Sequence, residues 1–294
     1  MNLIDLNKKI SALDVGESLR LESVPEDVYH ASEGWGSSRV KSFVNPDITP
    51  EEIKYSIENP PEKEKPHFRI GRAVHCAILE PERFTDEYVL QPKKYTYNDQ
   101  KKGDVIGVIN VRSGKAWTAF ESDCIAKGLK ILNEKEMKSV AGAAHSVRKR
   151  WGDLIDSGKP EVSFWRRWSE TLVLKSRLDC EIADYRIAID IKSCANPHKF
   201  RYDAPKLFYD IQQIHYCWVA ESVIDDFKFI PVGSVAPNIL APVFQLDPED
   251  IGESMNQWEV ALGRLEAAIQ TGLWEGLKNT EETFRIPNWR RCYE

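Results

Sequence analysis

The chain has 294 residues, 42% of them hydrophobic with 9 Trp and 11 Phe, enough to bury a full core in one large or two modest domains. The opening Met1-Asn2-Leu3-Ile4 is not a basic start followed by an apolar run, and no segment approaches the ~20 apolar residues of a membrane span, so a cytoplasmic, non-membrane protein is expected. A net charge of −6 gives no global sign of nucleic-acid affinity, so any polyanion contact has to come from local basic clusters.

The six cysteines (Cys76, Cys124, Cys180, Cys194, Cys217 and Cys292) contain no C-x-x-C pair, which argues against a zinc site and a disulfide framework. No internal repeat is visible. Residues 1–60 read as irregular, punctuated by Pro25, Pro46, Pro50 and Pro60, and form an N-terminal extension packed on a single domain over 61–294. Glu62-Lys63-Glu64-Lys65 reads as a solvated charge run. The spacing of Phe68, Gly71, His75 and Ile78 predicts a helix over 67–80, with Gly71 admitting a close neighbour, His75 on the packed side and Pro81 as the stop.

Residues 91–112 gather Lys93, Lys94, Tyr95, Tyr97, Lys101 and Lys102 around Gly103, a basic loop that is either solvated or a contact for a nucleic-acid strand. Ser113 predicts the N-cap of a helix of about 20 residues or more. A second helix is expected over 140–154 and carries Arg148, Lys149 and Arg150, either a solvated surface or a phosphate-tracking rim. From Glu161 the period becomes alternating, and three strands follow over 162–168, 171–177 and 186–191 as a meander. A helix is expected over 202–223, with Gln212 and Tyr216 one turn apart on a single face. Strand-like stretches occupy 227–232 and 243–246. Asp247-Pro248-Glu249-Asp250 then caps a long structural helix with the ridge Ile251, Met255, Trp258, Leu262, Leu265 and Ile269.

The richest segment runs from Arg177 to Lys192. Side chains alternate along a strand, so Ile189 and Ile191 point into the core while Asp190 and Lys192 leave the opposite face together. A reversal around Asp184-Tyr185 brings Asp179 opposite Asp190. Two carboxylates about 4 Å apart repel by roughly 4 kcal/mol at an effective dielectric near 20, which demands a proton, a cation or a separation; a hard divalent metal fits best. Taken alone, Asp190 and Lys192 also read as a surface ion pair, but a strand that looks central seldom carries idle charge.

The order of Gly71-Arg-Ala-Val-His75-Cys-Ala-Ile-Leu-Glu-Pro, Glu161, Asp179, Asp190-Ile-Lys192 and Gln212-x-x-x-Tyr216 resembles the RecB-type branch of the PD-(D/E)XK nuclease superfamily. It is most similar to the exodeoxyribonuclease VIII (RecE-type) nuclease domain and related phage recombination exonucleases, and Tyr29-His30-Ala31-Ser32 with Ser37-Ser38 is similar to how those domains begin. The resemblance spans roughly residues 27–225 and implies an α/β, restriction-endonuclease-like core: a mixed central sheet flanked by helices, with an N-terminal extension and a C-terminal helix. It implies that Asp179 and Asp190 ligate Mg²⁺, with Mn²⁺ as a substitute, that His75 and Glu161 complete the shell, and that Lys192 orients or activates water. Gln212 and Tyr216 would support the site or the scissile phosphate. Leu178 departs from the superfamily's proline, which shapes backbone and carries no chemistry.

The resulting expectation is a metal-dependent exodeoxyribonuclease acting on duplex DNA with free ends. The alternatives are a structure-specific or nicking endonuclease on the same core, and an inactive recombination scaffold. An iron–sulfur cluster is not expected, because a C-terminal cysteine triplet is missing and only Cys292 is there. A homo-oligomeric ring is expected from the resemblance and from the scarcity of basic surface, with a single-strand annealing protein as a possible partner.

Overall fold

Glu161, Asp179 and Asp190 stand on three neighbouring strands of a mixed sheet, and the rest of the chain is arranged around that placement. The computed structural model describes residues 1–60, 66–221 and 224–277; the charge run at 62–65, position 223 and Cys292 lie outside the described residues.

Residues 1–60 are not irregular. They form α1 (Leu3–Ser11), β1 (Ser18–Leu21), α2 (Glu26–Ala31), β2 (Trp35–Gly36), α3 (Ser37–Val44) and α4 (Pro50–Glu58). Two of the prolines mark helix starts: Pro25 precedes α2, and Pro50 opens α4 behind Thr49, which forms a capping box with Glu52.

Next come α5 (Pro66–Leu79), α6 (Pro81–Glu87), β3 (Tyr88–Leu90), β4 (Lys94–Asp99), β5 (Gly103–Val108), α7 (Lys115–Ala126), β6 (Lys130–Leu132) and α8 (Glu134–Asp156). The helix anticipated over 67–80 is present, but a side chain at Gly71 would meet nothing within 4 Å, so no close neighbour explains that glycine. The basic loop is instead the β4–β5 hairpin, because Lys94 to Asp99 alternates with period two and Gly103 turns the chain at φ +71°. The helix after Ser113 is shorter than expected. It starts behind Gly114 without a side-chain cap, and it ends before Gly128 at φ +69°. By contrast α8 begins earlier than Val140, at a capping box between Asn133 and Glu136.

The meander is β7 (Lys159–Arg167), β8 (Val173–Ile182) and β9 (Ile187–Cys194), all antiparallel neighbours. The helix expected over 202–223 is split into α9 (Phe200–Lys206) and α10 (Tyr209–Ala220), because Pro205 supplies no amide hydrogen and Phe208 turns left-handed at φ +53°. After β10 (Asp226–Gly233), residues 243–246 contribute only a bridge between Phe229 and Phe244 rather than a strand. Asp247 caps a short 3₁₀ turn, Pro248–Asp250, that runs into α11 (Ile251–Thr271). Trp258, Leu262 and Leu265 of the anticipated ridge are fully buried, whereas Ile251 is exposed.

The sheet runs β1-β7-β8-β9-β10, with β9 and β10 parallel and β2 pairing parallel to the first half of β8. Ile189 and Ile191 pack in the apolar cluster of α5 and α8, which includes Val74, Ile78, Val140 and Val147. A second cluster joins Phe43 of α3, Ile211 and Ile214 of α10 and Trp258 of α11 to Phe164, Leu178 and Phe229. This is the mixed sheet flanked by helices that the resemblance implies. Among the described residues, no helix is long and apolar enough to cross a membrane.

Candidate active site

Strand register assembles the carboxylates. Pro160 pairs with Cys180 and Val162 with Leu178, so Glu161 stands opposite Asp179. Cys180 pairs with Ile189 in the last paired step of β8 and β9, so Asp179 and Asp190 stand one step beyond the ladder rather than paired opposite each other. Glu161 lies within β7 rather than before it, at φ +52°, a left-handed conformation uncommon for a non-glycine residue.

The ladder between β8 and β9 stops at Cys180, and β2 pairs with β8 further back, at Leu174 and Lys175. At that fork the Asp179 carboxylate accepts a hydrogen bond from Ile191 N at 2.7 Å, replacing a ladder bond. Its Oδ2 also lies 3.3 Å from Nδ1 of His75, delivered by α5. Burial opposes ionisation of Asp179, but the His75 charge and hydrogen bond, Lys192 and the Ile191 amide outweigh it and hold the carboxyl below its ordinary value. Burial likewise works against a charged His75, yet Asp179, Glu161 and Asp190 raise it to about 9. Glu161 is raised to about 7, first by burial and then by Asp179, with His75 and Arg177 opposing.

On the other layer, Asp190 is 3% exposed and its Oδ2 lies 2.7 Å from Lys192 Nζ, a charge contact without hydrogen-bond alignment. Its Oδ1 accepts from Gln212 Nε2 at 2.8 Å. Burial, and after it the opposing Lys192 and reinforcing Asp179, leave Asp190 raised to about 6. Gln212 Oε1 in turn accepts from Lys192 Nζ at 3.2 Å. Tyr216, one turn along α10, is raised well above its ordinary value by burial and then by Asp190, and its hydroxyl meets Ser37.

Sequence reasoning missed two basic groups here. Lys41 of α3 reaches Gln212 Oε1 at 3.5 Å; burial, then the charge of Lys192, lowers it to about 8. Arg177 stacks 4.2 Å from the Tyr29 ring centroid, donates to Ser163 Oγ, and lies 3.9 Å from Glu161. Local sequence around Lys41 reads as an ordinary amphipathic helix, and only the pairing of β2 with β8 places it. Arg177 stands two residues before Asp179, so strand alternation alone puts it on the same side.

The expected nucleic-acid contacts lie elsewhere. Lys93 and Lys94 are exposed where the hairpin begins, while Tyr95 packs on Phe120 and donates to Asp123. Arg148 is a strut: it donates to the Ile78 carbonyl at the end of α5 and to Asp156. Lys149 and Arg150 are exposed on α8, with Arg150 over the Trp151 ring. Among the described residues, none of these joins the hydrogen-bond network of the carboxylate row.

His75, Glu161 and Asp179 each present one ligand atom, all within 4.8 Å of one another. One imidazole and two carboxylates suit a hard or borderline divalent cation and offer no thiolate to a soft one, so the donor set fits a metal of that kind. Asp190 is not in that trio, and Lys192 and Gln212 engage its carboxylate.

A mixed sheet bearing this acidic row, with Asp190-Ile191-Lys192 on β9, defines a nuclease core of the PD-(D/E)XK type. The profile of the PDDEXK-like domain of unknown function (DUF3799) matches residues 36–276, and the chain belongs to that family. Its fold is similar to the crystal structure of a candidate exonuclease from Eubacterium rectale, at 14% sequence identity and a TM-score of 0.57, over 91% of this chain and 97% of that one. At that identity the likeness shows the fold alone. No curated protein matches the chain.

Proposed function

We propose that the protein is a Mg²⁺-dependent exodeoxyribonuclease that resects one strand of linear duplex DNA, with Mn²⁺ able to replace Mg²⁺, in recombination or phage DNA metabolism. The observation that carries this reading is the convergence of Glu161, Asp179 and Asp190 from adjacent strands with His75 and Lys192. The similarity to RecE-type domains, and the fold shared with a candidate exonuclease, favour attack from an end.

Hydrolysis forms one bond from a water oxygen to phosphorus and breaks one P–O ester bond, and the leaving oxygen takes up a proton. His75, Glu161 and Asp179, with Asp190 beside them, would hold a divalent cation, which would supply Lewis acidity and lower the pKa of water. As a ligand His75 would be neutral, whereas Asp179 and Glu161 favour its protonated form in the metal-free chain. Lys192, held by Asp190 and Gln212, donates hydrogen bonds to the attacking water or the phosphate. Tyr216 anchors α10 against Ser37 and so keeps Gln212 in place.

The acidic chain has little basic surface with which to hold a duplex, so we further propose a homo-oligomeric ring whose channel gathers local bases, with a single-strand annealing protein receiving the exposed strand. Light scattering that found only a 33.7 kDa species during processive digestion would exclude the ring. Equal masses of linear and covalently closed duplex in Mg²⁺ test the activity: linear DNA is degraded and closed circles survive. Cleavage of closed circles would point to an endonuclease, and inertness toward both in Mg²⁺ and Mn²⁺ to a scaffold.

A further inference from the structure

The carboxylate row is only half of the site's charge distribution. Lys41 approaches from α3, which follows β2 directly and is carried beside α10 by the pairing of Trp35 and Gly36 with β8. Its Nζ lies 3.5 Å from Gln212 Oε1, the same atom that accepts from Lys192 Nζ at 3.2 Å. Both ammonium groups also face the Tyr209 ring, 5.2 Å and 4.5 Å from its centroid. Lys192 is compensated by Asp190 at 2.7 Å. Lys41 has no carboxylate within 4.0 Å among the described residues.

Two ammonium groups therefore share one neutral amide oxygen and one aromatic face, with Asp190 in contact with Lys192 and the charges of Asp179 and Asp210 further off. Like charges held this close repel, and an anion placed between them relieves the repulsion. A lysine ammonium is a compact charge with three donors and no acceptor, which suits the non-bridging oxygens of a phosphate. Asp190, in contact with Lys192, lies within electrostatic reach of Asp179 and His75, so an anion held by the lysines would sit near the cation-binding trio.

We propose that Lys41 is a phosphate-binding residue: with Lys192 it grips the non-bridging oxygens of one backbone phosphate of the bound strand, and Gln212 Oε1 sets the spacing of the two ammonium groups. This rests on the nuclease reading given above. A purely structural Lys41 would only prop Gln212 and would make no contact with DNA.

The test is the salt dependence of binding to a short blunt duplex, read by fluorescence anisotropy with Ca²⁺ in place of Mg²⁺, for the native chain, Lys41→Met and Lys41→Arg. Loss of one phosphate contact lowers the steepness of log K against log salt by about 0.9, so Lys41→Met is expected to show that drop with roughly tenfold weaker binding at low salt. Lys41→Arg keeps the charge and is expected to restore the native slope. Thermal melting checks that Lys41→Met is folded, and Lys41→Gln replaces it where it is not. An unchanged slope in a folded neutral variant, with the native chain binding DNA, overturns the assignment of Lys41 and leaves the nuclease reading standing. A native chain that binds no duplex at any salt overturns both.

Discussion

Asp179 and His75 meet at 3.3 Å, Oδ2 to Nδ1, and this contact ties α5 to the central strand β8. The same carboxylate takes the Ile191 amide at the fork where β9 leaves β8. One side chain thus serves the sheet, as a substitute ladder partner, and the site, as the counter-charge of an imidazolium. An asparagine there keeps an acceptor for Ile191 N and removes the charge that attracts His75 and a metal.

Glu161→Gln is expected to stabilise the metal-free protein at alkaline pH. The Glu161 carboxyl is raised from 4.5 to about 7, chiefly by burial and next by Asp179. A group raised on folding binds its proton more tightly in the folded state, so stability is full below the unfolded value and is lost as pH rises through about 7. In EDTA at pH 8 the variant should melt roughly 2–4 °C above the native chain, and the two should converge at pH 4. Differential scanning fluorimetry decides this, and a variant less stable than native at pH 8 contradicts it.

His215 should make the protein acid-sensitive for a separate reason. It is fully buried, its Nε2 lies 3.0 Å from the Lys175 carbonyl, and its Nδ1 accepts from Trp258 Nε1 at 3.2 Å, so both nitrogens are committed to one neutral tautomer. Burial is the main cause that lowers it to about 4, against the Lys175 hydrogen bond. Here the depressed group gives full stability above 6.5 and loses it as pH falls toward 4, by up to about 3 kcal/mol. Replacing His215 with Asn costs about 1–3 kcal/mol at pH 8 through lost hydrogen bonds, and that deficit should shrink as pH falls to 4.5. Urea unfolding of both proteins across this range measures it; a constant deficit would contradict the account.

Gln212→Leu should slow cleavage without unfolding the chain. It removes the donor to Asp190 Oδ1 and the acceptor shared by two lysines, and outer-shell partners of this kind carry about 10–100-fold in activity. A hydrogen bond to a carboxylate favours its charged form, so without it Asp190, already raised to about 6 by burial, rises further. The acid limb of the pH–rate profile should therefore move to higher pH. Initial rates across the profile report both effects, and an unmoved limb would detach Gln212 from Asp190.

Much of the site was legible because it follows from alternation and register. Asp190 and Lys192 share a face because they are two apart, and a reversal near Asp184 sets β9 against β8. That Asp179 takes the Ile191 amide instead of pairing opposite Asp190 was not legible, since it depends on β9 leaving β8 at Cys180 while β2 pairs with β8 at Leu174 and Lys175. Lys41 was hidden for the same reason: a two-residue strand, Trp35–Gly36, has no sequence pattern of its own. In the 94–108 segment, basic composition drew attention away from an alternation that was visible in Tyr95 and Tyr97. The left-handed Glu161 gave no local cue, because nothing in Lys159-Pro-Glu-Val announces a positive φ.

The central claim is that the carboxylate row is a metal-dependent nuclease centre, and the most direct measurement is nucleotide release from linear duplex in Mg²⁺ by the native chain and by Asp179→Asn. The account expects release by the native chain that EDTA abolishes, and a loss of roughly 10³-fold or more in the variant, which still melts cooperatively in EDTA. A native chain inert in both Mg²⁺ and Mn²⁺, or a variant that cleaves as fast as the native chain, would contradict it.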